Sequence, residues 1–97
     1  MVKIILVTHG NLAREMLNTT AQIIGKTPDD FETVSIAAAS SVEEEAAKLK
    51  GLLKDCPDGA VILTDIFGGS ATNVALTASK DSPKCNVITG LNLSMLL

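Results

Sequence analysis

The sequence is poorest in side chains that grip flat partners. It has no tryptophan, no tyrosine and two phenylalanines, Phe31 and Phe67. Stacking of unpaired bases and packing against an isoalloxazine ring both need aromatic surface, so single-stranded nucleic acid and flavin fit this chain badly. Positive charge is scarce as well: Arg14 is the single arginine, the formal net charge is −3 and the pI is near 4.9. A nucleic-acid footprint requires clustered lysine and arginine, and no nucleic-acid partner is expected. The two cysteines, Cys56 and Cys85, stand too far apart for a C-x-x-C motif. Thiols in such a setting are usually left reduced, so they receive no role, and neither a metal nor a cofactor is expected. Apolar runs such as Ile4-Ile5-Leu6-Val7 fall far short of the roughly 18 to 20 residues that cross a bilayer. Met1-Val2-Lys3 leads into that run without the features of a secretory leader, which makes the cytoplasm the expected compartment.

What is present is a composition 46% hydrophobic and 20% charged over 97 residues, with a mean hydropathy of +0.34. That balance belongs to a folded globular chain, and residues 1–97 read as one domain with one core. Lys3 to Thr8 predicts a strand buried on both faces, placing His9-Gly10 just past its end. Leu12, Ala13, Met16, Leu17, Thr20, Ile23 and Ile24 follow the spacing of an amphipathic helix that Gly25 would cap. Phe31 to Ile36 alternates and predicts an edge strand. Ser41-Val42-Glu43-Glu44 has capping-box spacing, and the acidic run 43–45 suits the start of a helix ending near Lys54. Ala60 to Thr64 predicts a central strand that delivers Asp65 at its end, Ser70 to Ser79 a third helix, and Cys85 to Thr89 a fourth strand.

Strands alternating with helices imply an α/β fold with right-handed crossovers. The expected form is an open, mainly parallel sheet in the flavodoxin-like order 2-1-3-4, with helices on both faces. Gly90 to Leu97 ends in an apolar run where a helix covering the last strand is expected, so the domain reads as shortened at its C-terminus.

In such sheets ligands bind beyond the carboxyl ends of the strands where the strand order reverses. This selects Thr8-His9-Gly10 and the run Asp65-Ile66-Phe67-Gly68-Gly69-Ser70. His9 is the single histidine. A neutral imidazole is a nucleophile toward phosphorus, provided that its other nitrogen is held by an acceptor; Asp65, read as an exposed strand-end carboxylate, is placed to be that acceptor. Gly10 would leave room for an incoming phosphoryl group. Gly68, Gly69 and Ser70 would bring backbone N–H groups and a hydroxyl to its oxygens. Each piece also has a plainer use: His9 as a solvated loop residue, Asp65 as a turn residue, Gly-Gly-Ser as a helix-capping turn. Their convergence favours chemistry.

Thr8-His9-Gly10, the run 65–70 followed by Asn73, and Gly90-Leu91-Asn92-Leu93-Ser94-Met95-Leu96 together resemble the IIA domain of mannose-family (mannose, fructose, sorbose) sugar phosphotransferase systems, over nearly the whole chain. The resemblance implies that His9 receives a phosphoryl group from HPr and passes it to a histidine of a IIB domain, with membrane IIC and IID components engaged indirectly at the inner face of the membrane. It implies that Asp65 holds the nitrogen that is not phosphorylated, that Ser70 sits beside the phosphate, and that Thr8 joins the same pocket. Ala71 and Ser94 depart from a pattern in which proline is common. The family also continues into a further helix and a strand exchanged within a homodimer, the expected state of a full-length domain. The phosphoryl-donor subunit for dihydroxyacetone kinase is the alternative within the same fold. Outside it stand a histidine phosphatase, which wants arginines around the phosphate; a receiver domain, which wants acidic residues after the first strand; and a non-catalytic interaction domain.

Overall fold

The computed structural model describes residues 2–26, 29–37, 39–66, 69–80, 82 and 84–97. Among these residues four strands and three helices alternate: β1 (Lys3–His9), α1 (Leu12–Ile24), β2 (Phe31–Ile36), α2 (Val42–Lys54), β3 (Ala60–Thr64), α3 (Ser70–Ser79) and β4 (Cys85–Ile88). A 3-10 turn, Leu93–Leu96, follows. The strands form one parallel sheet in the order β2-β1-β3-β4, as the alternation predicts.

The two-residue period of the strands sorts their side chains into two layers. Ile5 and Val7 of β1 and Ala60 and Ile62 of β3 join Ala46, Leu49, Leu53, Ala71, Val74 and Ala75 in the larger buried cluster, beneath α2 and α3. Leu6 and Leu63 point the other way and meet Ala13 of α1. Ile5, Leu6, Val7, Leu49 and Ile62 are fully buried, each contributing about 1.5 to 3 kcal/mol by burial. β1 is therefore sandwiched, which fixes the position of whatever residue ends it.

Three expectations need correction. β1 does not stop at Thr8: His9 is its last residue, paired with Ile36 of β2. The apolar face of α1 is narrower than its sequence suggests. Ala13 and Thr20 are buried, but Leu12, Ile23 and Ile24 are 45 to 57% exposed. The helix touches the sheet along one stripe, and residues at correct spacing beside that stripe stay in solvent. The terminal apolar run packs onto the α1 side of the sheet. Leu91 donates its N–H to the Thr64 carbonyl (2.9 Å), and Leu91 and Leu96 pack against Leu6, Ala13 and Leu63. The carboxamide of Asn92 caps the turn by accepting from Met95 N–H at 3.2 Å. β4 ends at Ile88 rather than Thr89.

Helix limits follow from local chemistry. Gly25, at φ +86°, closes α1 with its N–H on the Ala21 carbonyl. The Ser41 hydroxyl accepts from Glu44 N–H at 3.1 Å, one half of the predicted capping box. Among the described residues, no helix is long and apolar enough to cross a membrane.

Candidate functional site

The order β2-β1-β3 sets the carboxyl ends of β1 and β3 side by side, with Val7 opposite Thr64 as their last pair. His9 and Asp65, 56 residues apart in sequence, become neighbours for that reason. Gly10 then turns the chain away at φ +57° and donates its N–H to the Ile36 carbonyl (3.1 Å). A methyl group at Gly10 would meet nothing within 4 Å, so the glycine serves the left-handed backbone and the space beside it is open.

Asp65 is the hub. Its Oδ2 accepts from His9 Nδ1 (2.9 Å) and from His9 backbone N–H (3.1 Å), and its Oδ1 accepts from Ile66 N–H (3.0 Å). The carboxylate is not the exposed group expected from sequence: its side chain is 9% exposed, against 43% for His9. Burial alone would push the Asp65 carboxyl up. The hydrogen bonds from the His9 ring and backbone outweigh that cost and hold it below the ordinary carboxylate range.

An ionised carboxylate only accepts, so a neutral His9 must carry its proton on Nδ1. Nε2 is then the ring's lone-pair nitrogen. Ser70 Oγ lies 2.8 Å from it and donates its hydroxyl proton there. Gly69 lies beside the ring: a Cβ at that position would lie 3.2 Å from His9 Cε1, so any side chain there would press on the imidazole and ask it to give by a few tenths of an ångström. Ser70 opens α3, whose first-turn N–H groups have no acceptors within the helix and point toward the same edge. Gly68 lies outside the described residues.

Thr8 is placed differently from expectation. It is fully buried, and its hydroxyl accepts from Ala13 N–H at 2.8 Å, under the start of α1. The structure ties it to the helix rather than to the imidazole.

His9, Gly10 and Ser70 line a groove of about 320 Å³ whose other wall is Ile36, Ala37 and Ser40, from the end of β2 and the segment leading to α2. Sequence reasoning missed that wall. The signal was available in the strand order, because β1 has β2 as its other neighbour. A second groove of similar size lies at the amino ends of β3 and β4, lined in part by Cys56, Lys84 and Cys85. Burial raises the Cys56 thiol above its ordinary value, and its Sγ donates to the Leu52 carbonyl, which favours the protonated thiol over the nucleophilic thiolate. Among the described residues no group of three or more His, Cys, Asp or Glu is arranged to hold a metal ion.

A parallel sheet whose first strand ends on a histidine, clamped by a carboxylate from its third, defines a class: small α/β domains that present one imidazole nitrogen at the carboxyl edge of the sheet. Within that class the chain belongs to the family described as EIIA-man: PTS system fructose IIA component, whose model matches residues 3–97. The chain is 31% identical over 100 residues to the PTS system mannose-specific EIIAB component of Escherichia coli (strain K12). That match takes in 99% of this chain and 30% of the relative, so the chain spans less than a third of the relative's length. The phosphotransferase system component EIIA of Streptococcus agalactiae superposes with a TM-score of 0.88 at 32% identity, over 99% of this chain and 74% of that one. The mannose/sorbose-specific IIA subunit of Enterococcus faecalis also gives 0.88, at 35% identity, over 98% and 72%.

Proposed function

We propose that this chain is a phosphocarrier that accepts a phosphoryl group on His9 Nε2 from HPr and transfers it to a histidine of a IIB domain, in the service of sugar uptake and phosphorylation. The observation that carries this reading is the orientation of the imidazole. Asp65 holds Nδ1–H, which leaves the Nε2 lone pair facing an open groove.

The residues divide the work as follows. His9 Nε2 attacks phosphorus in line as the donor nitrogen departs, and the reverse exchange hands the group on. Asp65 accepts the Nδ1 hydrogen bond throughout and balances the positive charge that grows on the ring as the N–P bond forms. The Ser70 hydroxyl swings from Nε2 to an incoming phosphoryl oxygen, joined by first-turn N–H groups of α3. Gly69 keeps the ring face clear, and Thr8 fixes the departure of α1 from the end of β1. Family membership supports the same role, since the relatives above are themselves components of sugar phosphotransferase systems.

Incubation with phosphoenolpyruvate, enzyme I and HPr should add one acid-labile phosphate, and His9→Ala should abolish the addition. Equal labelling of that variant would sink the proposal.

A further inference from the structure

Behind the Asp65 loop lies a line of buried hydroxyls that do not touch the imidazole. Thr64, the last residue of β3, is fully buried, and Thr72, the third residue of α3, is 2% exposed. Their hydroxyl oxygens are 2.8 Å apart. The Thr72 hydroxyl donates to the Ile66 carbonyl, which also accepts from Gly69 N–H at 3.3 Å. Because a hydroxyl has one proton, the direction of the line is settled: Thr64 donates to Thr72, and Thr72 donates to Ile66.

Ile66 then connects this line to the site. Its N–H donates to Asp65 Oδ1, while Asp65 Oδ2 receives both N–H groups of His9. The Ile66 side chain is 58% exposed, so packing does not hold this residue in place. Its backbone is held by hydrogen bonds at both ends, one to the carboxylate and one to the buried threonines.

We infer that Thr72, supported by Thr64, is a positioning residue for phosphoryl transfer: it anchors the Ile66 carbonyl, and through Ile66 sets the angle at which Asp65 holds His9. The inference rests on the phosphocarrier reading for its kinetic consequence and on geometry alone for its effect on the imidazole. Valine matches threonine in shape but cannot donate. Thr72→Val leaves Gly69 N–H as the partner of the Ile66 carbonyl among the described residues and strands the Thr64 proton in the core. Thr64→Val keeps the Thr72 to Ile66 bond, so it should disturb the site less.

The test compares wild type, Thr72→Val, Thr72→Ser and Thr64→Val. Two readouts are taken: the rate of phosphorylation by phospho-HPr, and the Nδ1–H share of the His9 tautomers, from imidazole nitrogen spectra of the unphosphorylated proteins. Thr72→Val is expected to slow phosphorylation about tenfold, the rate equivalent of losing the net contribution of one hydrogen bond. It is also expected to lower the Nδ1–H share measurably. Thr72→Ser should restore both, and Thr64→Val should slow the reaction less than about threefold. Loss of thermal stability with an unchanged tautomer balance and rate would reduce the pair to a packing role and overturn the inference. If Thr72→Val fails to fold, Thr72→Ser and Thr64→Val still decide: a Thr72→Ser protein with a wild-type fold but a disturbed tautomer balance would count against the hydroxyl. If wild type itself takes up no phosphate, the phosphocarrier reading fails, while the nitrogen spectra still decide whether Thr72 sets the ring.

Discussion

At the scale of single residues, the burial of Asp65 changes what its removal should do. A solvated carboxylate would cost little to delete, whereas this one takes three hydrogen bonds in a nearly enclosed position. Asp65→Ala should therefore lower stability by about 1.5 to 3 kcal/mol in chemical denaturation, as well as slowing phosphorylation of His9. A variant with wild-type stability would show that these bonds contribute nothing net. The same carboxylate predicts the response to acid. Its folded pKa is depressed, so its contribution is present above the ordinary carboxylate value near 4 and is lost as pH falls through the lower folded value. Unfolding free energy measured from about pH 5 downward should decline less steeply in Asp65→Asn than in wild type, because the asparagine has no such proton to bind. Ser70→Ala should leave stability within about 0.5 kcal/mol while slowing phosphorylation, since its hydroxyl is a partly exposed partner of Nε2. His9, Asp65 and Ser70 were legible because strand ends and a helix start are fixed by sequence pattern. The environment of Asp65 was not, because it depends on two backbone N–H groups whose direction only the folded turn determines.

At the scale of elements, local signals and tertiary ones were legible to different degrees. The limits of β2, α2, β3 and α3 follow from alternation, capping and apolar runs that a single segment carries in itself. Removing one such signal should have a local price: Ser41→Ala deletes the bond to Glu44 N–H and should cost about 1 kcal/mol, read as a shift in denaturation midpoint. The face of α1 obeyed a weaker rule. Leu12, Ile23 and Ile24 keep helical spacing with Ala13 and Thr20, yet they lie outside the stripe that Leu6 and Leu63 can reach. Periodicity reports which side of a helix is apolar, and the sheet beneath decides how wide a band it covers. The same distinction explains the tail: an apolar run after Gly90 announces burial, but which residues it meets is a property of α1 and the sheet edge. Thr64 and Thr72 were missed for a related reason. A threonine at the end of a β-strand is ordinary by propensity, and a hydroxyl eight residues further on becomes its partner only when α3 docks.

At the scale of the whole molecule, the sheet has one deep layer and one shallow layer. The α2 and α3 side holds Leu49, Ile62, Val74 and Ala75 at full burial, while the α1 side rests on Leu6, Ala13, Leu63, Leu91 and Leu96 beneath a helix with three exposed aliphatic side chains. The site hangs from the deep layer: Ile5 and Val7 run up to His9, Ile62 leads through Thr64 to Asp65, and α3 carries Ser70. That placement gives a separable pair of expectations. Leu49→Ala opens a cavity in the deep layer and should cost about 3 kcal/mol, whereas Leu96→Ala, at the margin of the shallow one, should cost less. Native-state hydrogen exchange should follow the same division, with amides of β1 and β3 opening only with the whole molecule and amides of α1 exchanging through smaller openings. In Leu96→Ala the exchange of α1 should accelerate further while β1, β3 and phosphorylation of His9 stay as in wild type. If α1 proved as protected as β3, or if Leu96→Ala slowed phosphorylation as much as it loosened α1, the two layers would be one cooperative unit and the site would depend on both.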